Sequence, residues 1–329
     1  MAAGPIPVHF LLLPGSLILD WAGPAEAFRI ANQLRAAAGS AAAFDLHFIG
    51  PRAQAATSVG IQAAGIAPLP TRLPPASWLV LVGMPGSRID ASQPATREAI
   101  DWLRGLAPGR DQLRLVTVCA GALLAAHAGL LRGCRATTHH HHLDELREVA
   151  PDCEVVANRV FVLDRDVASS AGITTGIDLA LHLVTQECGA ALAARVAQTM
   201  VVALRRGPHD PELSPFLAGR NHMHPALHRV QDAVSSQPQL DWSVPRMASV
   251  GHASTRHLTR LFLEHAGMAP LEYLRRIRLA VAQSALQAGH SVTQAAEVAG
   301  FSSDTQLRRA WRQFGAGGTP SGVALLQNS

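Results

Sequence analysis

A nine-residue pattern occurs twice in the last third of the chain. Ser254-Thr-Arg-His-Leu-Thr-Arg-Leu-Phe262 returns forty-nine positions later as Ser303-Asp-Thr-Gln-Leu-Arg-Arg-Ala-Trp311. Leu258 matches Leu307, Arg260 matches Arg309, and an aromatic side chain closes each copy. Each copy follows a short Ala-containing segment and a turn with Gly, at 247–252 and 295–302. This predicts helix, tight turn, helix, twice over, the layout in which a second helix enters the DNA major groove. Leucine and aromatic lie four apart on one helix face and are expected to point inward. The opposite faces carry Arg256, Thr259 and Arg260 in the first copy, and Thr305, Arg308 and Arg309 in the second. Arginine can grip guanine bidentately, worth about 1–3 kcal/mol of discrimination. The plainer alternatives are contact with phosphates or a solvated helix face.

Charge supports a polyanionic partner for the same region. The chain has no lysine, and from position 224 to the end it holds 10 Arg against 6 Asp and Glu. That difference equals the whole formal excess of +4, so the first two thirds are neutral. A surplus of this size is modest, and it matters because it coincides with the repeated pattern.

A length of 329 residues implies two domains, and 48% hydrophobic against 16% charged residues implies packed cores. The apolar stretch Val8–Leu13 is too short to span a membrane, and Pro14-Gly15 ends it. The four cysteines (119, 134, 153, 188) show neither metal nor disulfide spacing, so a reduced, cytoplasmic protein is expected.

Upstream of the repeats, apolar runs alternate with Ala-rich stretches. Strands are expected at Val8–Leu13, Asp45–Ile49, Trp78–Val82, Leu115–Val118 and Val160–Leu163. Helices are expected at Gly23–Ala38, Ala95–Leu106, Ala120–Leu131 and Ile177–Glu187. This alternation predicts an α/β layered fold with a largely parallel sheet, followed by an all-α domain with two helix-turn-helix units. The expected division is 1–204, a linker at 205–223 rich in Arg, Pro, Gly, His and Asn, and 224–329.

Leu115-Val-Thr-Val-Cys119-Ala-Gly121 reads as an apolar strand delivering a cysteine to a sharp turn at a helix start. That is the geometry of a nucleophile elbow, where backbone amides and the helix dipole favour a thiolate. A buried cysteine acting as a small hydrophobe is the ordinary alternative. The run His139–His142 is read on extended backbone, where successive side chains alternate in direction and four cannot converge, so no metal and no other cofactor is expected.

Two resemblances follow from these motifs. Positions 224–323, with Gly267, Pro270 and Tyr273 after the first copy, resemble the AraC/XylS-type DNA-binding domain. The resemblance implies base contacts at the six residues named above and a long connecting helix, Leu271–Gln287, that spaces the two units. The second copy departs from the family pattern: nine positions rather than eight separate Trp311 from Pro320, Val323 stands in place of a tyrosine, and Asp304 puts a negative charge at the helix start.

The first domain carries Leu19-Asp20, Cys119, Arg135-Ala-Thr-Thr-His139, Ala171-Gly172 and Gly176-Ile177-Asp178. Over about 6–200 it resembles the ThiJ/PfpI branch of the class I glutamine amidotransferase-like, flavodoxin-like fold. That resemblance sets Asp20 and His139 beside Cys119 and makes Asp20, Glu26, Cys119, Ala120 and His139 the expected ligand-binding set, with Glu26 either lining the cleft or only solvating its helix.

If the domain were an enzyme, Cys119, Asp20 and His139 would be its catalytic residues, in the manner of the related isonitrile hydratases. Ala120 in place of a hydroxyl residue, and Val82-Gly-Met-Pro-Gly86 in place of a plain Gly-Gly turn, argue against turnover. The combined architecture implies a transcriptional regulator that binds promoter DNA and a small-molecule effector, an amino acid or a quaternary amine. It further implies a homodimer, with RNA polymerase as a possible partner. The alternative is a cysteine-dependent hydratase or hydrolase with a DNA-binding appendage.

Overall fold

A computed structural model describes residues 4–86, 88–202, 205–208, 219–220, 222–287, 289–314 and 319–320. The chain divides into two compact units, Met1–Glu212 and Leu213–Ser329. Val323 and positions 209–218 and 221 of the expected linker lie outside the described residues.

The first unit is organised by a six-stranded sheet. Its strands are β1 (Ile6–Leu11), β2 (Phe44–Ile49), β5 (Trp78–Leu81), β6 (Arg114–Val118), β9 (Phe161–Asp164) and β10 (Val167–Ser170). Two small pairs lie outside it, β3 (Gln54–Ala56) with β4 (Gln62–Ala64) and β7 (Arg135–Ala136) with β8 (Glu154–Val155). The strand order is β2-β1-β5-β6-β10-β9, parallel except for β9 against β10. The central strand β5, Trp-Leu-Val-Leu, is buried at every position, as a sheet covered on both faces requires.

Helices α1 (Ile18–Ala37), α5 (Thr174–Cys188) and α6 (Ala190–Thr199) pack on one another. A second group consists of α2 (Pro94–Leu103), α3 (Gly121–His127) and α4 (Leu143–Val149). Six of the seven residues of α3 are buried, which explains its Ala- and Leu-rich sequence with no polar face.

β10 was not expected. Its sequence Val-Ala-Ser-Ser has little strand character, yet all four residues are buried between β6 and β9. Tertiary pairing overrides propensity there: the Ser170 carbonyl accepts the Cys119 amide (3.0 Å), and the Ser169 hydroxyl accepts the Thr137 amide (2.9 Å). A histidine in the sheet fits its burial poorly. His9 in β1 stacks on His47 (4.8 Å between ring centroids), neither of its nitrogens has a partner, and burial holds its pKa down to about 4.

The chain leaving the sheet is anchored to α5. Arg206, within the stretch read as linker, donates to Asp178 Oδ2 (2.9 Å from Nε) and to the Thr174 hydroxyl (3.0 Å), and its amide donates to Asp178 Oδ1 (3.0 Å).

The second unit is helical: α7 (Pro225–Ser236), α8 (Val244–Gly251), α9 (Thr255–Leu261), α10 (Pro270–Gln287), α11 (Val292–Ala299) and α12 (Asp304–Phe314). It has two cores. Leu227, Val230, Met247, Leu258, Phe262 and Tyr273 belong to the first, and Leu279, Leu286, Ala296, Phe301, Leu307 and Trp311 to the second. Helix α10 supplies side chains to both cores and so fixes one half-unit against the other.

Candidate functional site

In the first unit, four segments far apart in sequence meet at Cys119. Strand β6 ends at Val118, and Cys119 takes a left-handed conformation (φ 58°) before α3 begins at Gly121. The sequence expectation of a sharp strand–turn–helix corner is met, at a conformation that costs an ordinary L-residue energy and persists only when the surroundings impose it. Here they do: the Cys119 amide is held by Ser170, and its carbonyl accepts the Thr138 hydroxyl at 2.8 Å.

Asp20, in the first turn of α1, is fully buried. Its Oδ2 accepts the Gly83 amide and its Oδ1 the Ile173 amide, both at 3.0 Å, and the Cys119 thiol hydrogen-bonds to the same carboxyl group. Burial raises its pKa to about 6, against the opposing pull of those hydrogen bonds. The carboxyl group therefore changes protonation near pH 6.

Two glycines make this packing possible. A Cβ on Gly172 (φ +102°) would meet Cys119 Sγ at 2.7 Å and its Cβ closer still. A Cβ on Gly83 would meet Asp20 Oδ2 at 2.7 Å and Cys119 Cβ at 2.9 Å. Ile173 completes the corner with φ 49° and ψ −107° at the start of α5, a conformation L-residues rarely adopt. Gly83, Thr138 and Ile173 were not among the expected site residues. Gly83, two positions beyond β5, was the one local signal available, whereas Ile173 lies 153 positions from the carboxylate that it serves.

The other expected residues divide. Ala120 is buried beside Cys119, and Gly83's Cβ position approaches its amide. Glu26 is corrected: it lies on the exposed face of α1, paired with Arg29 at 2.7 Å, and solvates its helix. His139 follows Thr138 directly and is half-buried; burial, then the neighbouring His140, His141 and His142, lower its pKa to about 4, so it is neutral.

The geometry assumed for the histidine run is also corrected. His140–His142 form a 3-10 turn capped by His139, whose Nδ1 accepts the His141 amide at 3.3 Å. Side chains that would alternate along a strand are gathered instead: one ligand atom from each of His139, His140 and His141 lies within 4.8 Å of the others. His142 turns inward and shares a buried hydrogen bond with Glu145 (3.1 Å), whose other oxygen accepts the Ile89 amide (3.0 Å).

In the second unit the two copies superimpose in role. Ser254 caps α9 by accepting the His257 amide (3.2 Å), and Ser303 caps α12 by accepting the Gln306 amide (3.3 Å). Leu258, Leu307 and Phe262 are fully buried and Trp311 nearly so. Arg256, Arg260, Thr305, Arg308 and Arg309 are exposed, and Thr259 is half-exposed.

Several details differ from the simple expectation. The left-handed residue after α8 is His252 rather than a glycine, while Gly300 fills that place after α11. Gly251 is instead packed under Val230. The Thr259 hydroxyl is spent on the Thr255 carbonyl (2.9 Å). Asp304 accepts the Thr293 hydroxyl (3.0 Å), so its charge ties α12 to α11. Between the half-units lies a groove of about 340 Å³ whose lining includes Trp242, Arg275, Arg278, Gln306 and Arg309. Arg278 is committed to the Pro238 and Leu240 carbonyls (2.8 Å each), so it braces the groove wall.

Both units have counterparts among known proteins. Residues 247–323 match the family described as "Helix-turn-helix domain", and residues 77–186 match the "DJ-1/PfpI family". The chain is 27% identical over 312 residues to the HTH-type transcriptional regulator GbdR of Pseudomonas aeruginosa, covering 94% of this chain and 82% of that protein. It is 30% identical over 203 residues to the HTH-type transcriptional regulator GlxA of Rhizobium meliloti, covering 61% and 62% respectively. It is also 37% identical over 115 residues to an isonitrile hydratase of Pseudomonas putida, covering 35% and 46%. A crystal structure of an AraC family transcriptional regulator from Pseudomonas putida aligns with TM-score 0.50 at 23% identity, over 60% of this chain and all of that one, which speaks to the fold.

Proposed function

Because the chain belongs to the AraC-type helix-turn-helix transcriptional regulators that carry a DJ-1/PfpI domain, we propose that its two reading helices bind promoter DNA under control of an effector held at the Cys119–Asp20 corner. The observation that carries this reading is the pair of serine-capped helices α9 and α12. Each buries its leucine and aromatic side chain and turns arginines to solvent. Arg256, Arg260, Thr305, Arg308 and Arg309 are the proposed DNA contacts, with Thr259 contributing through its methyl group. Arg275 and Arg309 at the groove between the half-units are suited to a phosphate backbone.

The effector is an amino acid or a quaternary amine, a compound with a cationic nitrogen that Asp20 can balance once deprotonated. Homodimerisation, contact with RNA polymerase and a cytoplasmic location belong to this proposal. Among the described residues no helix is long and apolar enough to cross a membrane. The first unit acts by binding and not by turnover: Ala120 offers no hydroxyl, and Val82-Gly-Met-Pro-Gly86 stands in place of a plain Gly-Gly turn.

Gel-shift titration against the DNA upstream of the protein's own gene tests the reading face. Arg256→Ala and Arg260→Ala should each weaken specific binding by about 1–3 kcal/mol, roughly five- to 150-fold. Wild-type retardation in both variants removes the assignment. A thermal-shift screen of amino acids, polyamines and betaines tests the effector, since a ligand that prefers the native state raises the melting temperature. A second reading, cysteine chemistry, is favoured by the thiol–carboxyl hydrogen bond and the raised Asp20 pKa. It predicts consumption of an isonitrile or amide that Cys119→Ser abolishes.

A further inference from the structure

We propose that His139, His140 and His141 form a binding site for a late first-row divalent transition-metal ion such as Zn²⁺, at the mouth of the loop that follows Thr138. Three imidazoles are the donor set these ions favour, and carboxylate-seeking ions such as Mg²⁺ and Ca²⁺ do not. The 3-10 turn brings one ligand atom of each ring within 4.8 Å of the others, and the ring centroids stand 4.2 Å (139–140), 4.3 Å (140–141) and 4.9 Å (139–141) apart. Small side-chain rotations bring such a set to a common ion. Three protein ligands leave further positions open, as in zinc sites that exchange water or bind small molecules.

The fourth histidine shows that the turn is built to hold this shape. His142 is buried and bonded to Glu145, and Glu145 also accepts the Ile89 amide from the loop after β5. That anchor fixes the C-terminal end of the turn. The other end is fixed at Thr138, which is fully buried and bonded to the Cys119 carbonyl. The run thus splits into one structural histidine and three gathered ones, a division that a solvated polar loop does not need. One bond that competes with coordination, from the His141 amide to His139 Nδ1, is long at 3.3 Å and readily exchanged.

The test is isothermal titration of the full-length protein with ZnCl₂, alongside the His140→Ala/His141→Ala double variant. The wild type should bind Zn²⁺ at this site with a dissociation constant well below about 100 μM, and the double variant at least tenfold more weakly. Circular dichroism and the melting temperature of the double variant, with His140→Gln as a milder substitution, establish that it is folded.

Two further variants separate the site from competing ligands. Cys119→Ser should bind as the wild type does. So should His222→Gln/His228→Gln, which disrupts a second group of histidines stacked 4.4 Å apart in the other unit. No Zn²⁺ binding by the wild type near 100 μM, or unchanged affinity in the folded double variant, overturns the proposal. So does loss of the binding in Cys119→Ser or in the His222/His228 pair.

Discussion

The cysteine corner of the first unit and the reading helices of the second are built on opposite principles. At the corner, Asp20, Gly83, Cys119 and Ile173 come from four separate segments and use one another's polar groups, so little is left to solvent. In α9 and α12 the pattern is local: a serine cap, a buried leucine, a buried aromatic, and arginines facing out. A site assembled from distant parts gains a tunable environment for one carboxyl group and tolerates almost no substitution. A site written along one helix keeps its outer face nearly independent of the core, so specificity can change without a change of fold. This contrast suits a protein that senses with one region and reads with the other.

The largest expected effect would break the corner. Gly172→Ala places a Cβ against Cys119 at positive φ and should destabilise the first unit by about 3 kcal/mol or more. Gly129→Ala, also at positive φ (78°) but with nothing within 4 Å, should cost only about 1 kcal/mol. Urea denaturation monitored by fluorescence compares them; equal midpoints would show that the corner is not tightly packed.

The next effect concerns Asp20 and pH. Its folded pKa, about 6, lies above the usual 3.8, so the folded state holds the proton more tightly than the unfolded chain does. The resulting stabilisation is complete below about pH 4, falls as pH rises through 6, and is flat above; two units correspond to about 3 kcal/mol. His9 and His139, with pKa values lowered to about 4, act in the opposite sense and lose stability as pH falls from 6.5. The difference between wild type and Asp20→Asn isolates the carboxyl group. Wild type should lose about 2 kcal/mol relative to the variant between pH 4 and pH 6.5, and a flat difference curve would refute the raised pKa.

The smallest effect sharpens the other side of the comparison. Ser254→Ala and Ser303→Ala each remove one helix cap and should cost about 1 kcal/mol in thermal stability. The arginines remain exposed in both variants, so the salt dependence of DNA binding should stay close to that of the wild type. A changed salt slope would mean that the caps also orient the reading faces.

Legibility follows the same division. The strand–Cys119–helix corner and both helix-turn-helix copies could be read from sequence because each is determined within about ten residues by hydrophobic period and cap chemistry. β10 could not: two of its four residues are serines, and only its position between β6 and β9 makes it a strand. The histidine run was misjudged because a 3-10 turn and an extended segment look alike over four identical residues. Glu26 was open between two roles six residues beyond Asp20, and the helix phase sends it to solvent.

By itself, the sequence determined that an alternating α/β region precedes two capped, arginine-bearing helix pairs, since periodicity and caps act between neighbours along the chain. Only the tertiary structure decided which backbone amides hold Asp20, that its proton is retained to about pH 6, and that three histidines are drawn together. Those outcomes depend on burial and on partners up to 153 positions away, and burial has no value until the chain has folded.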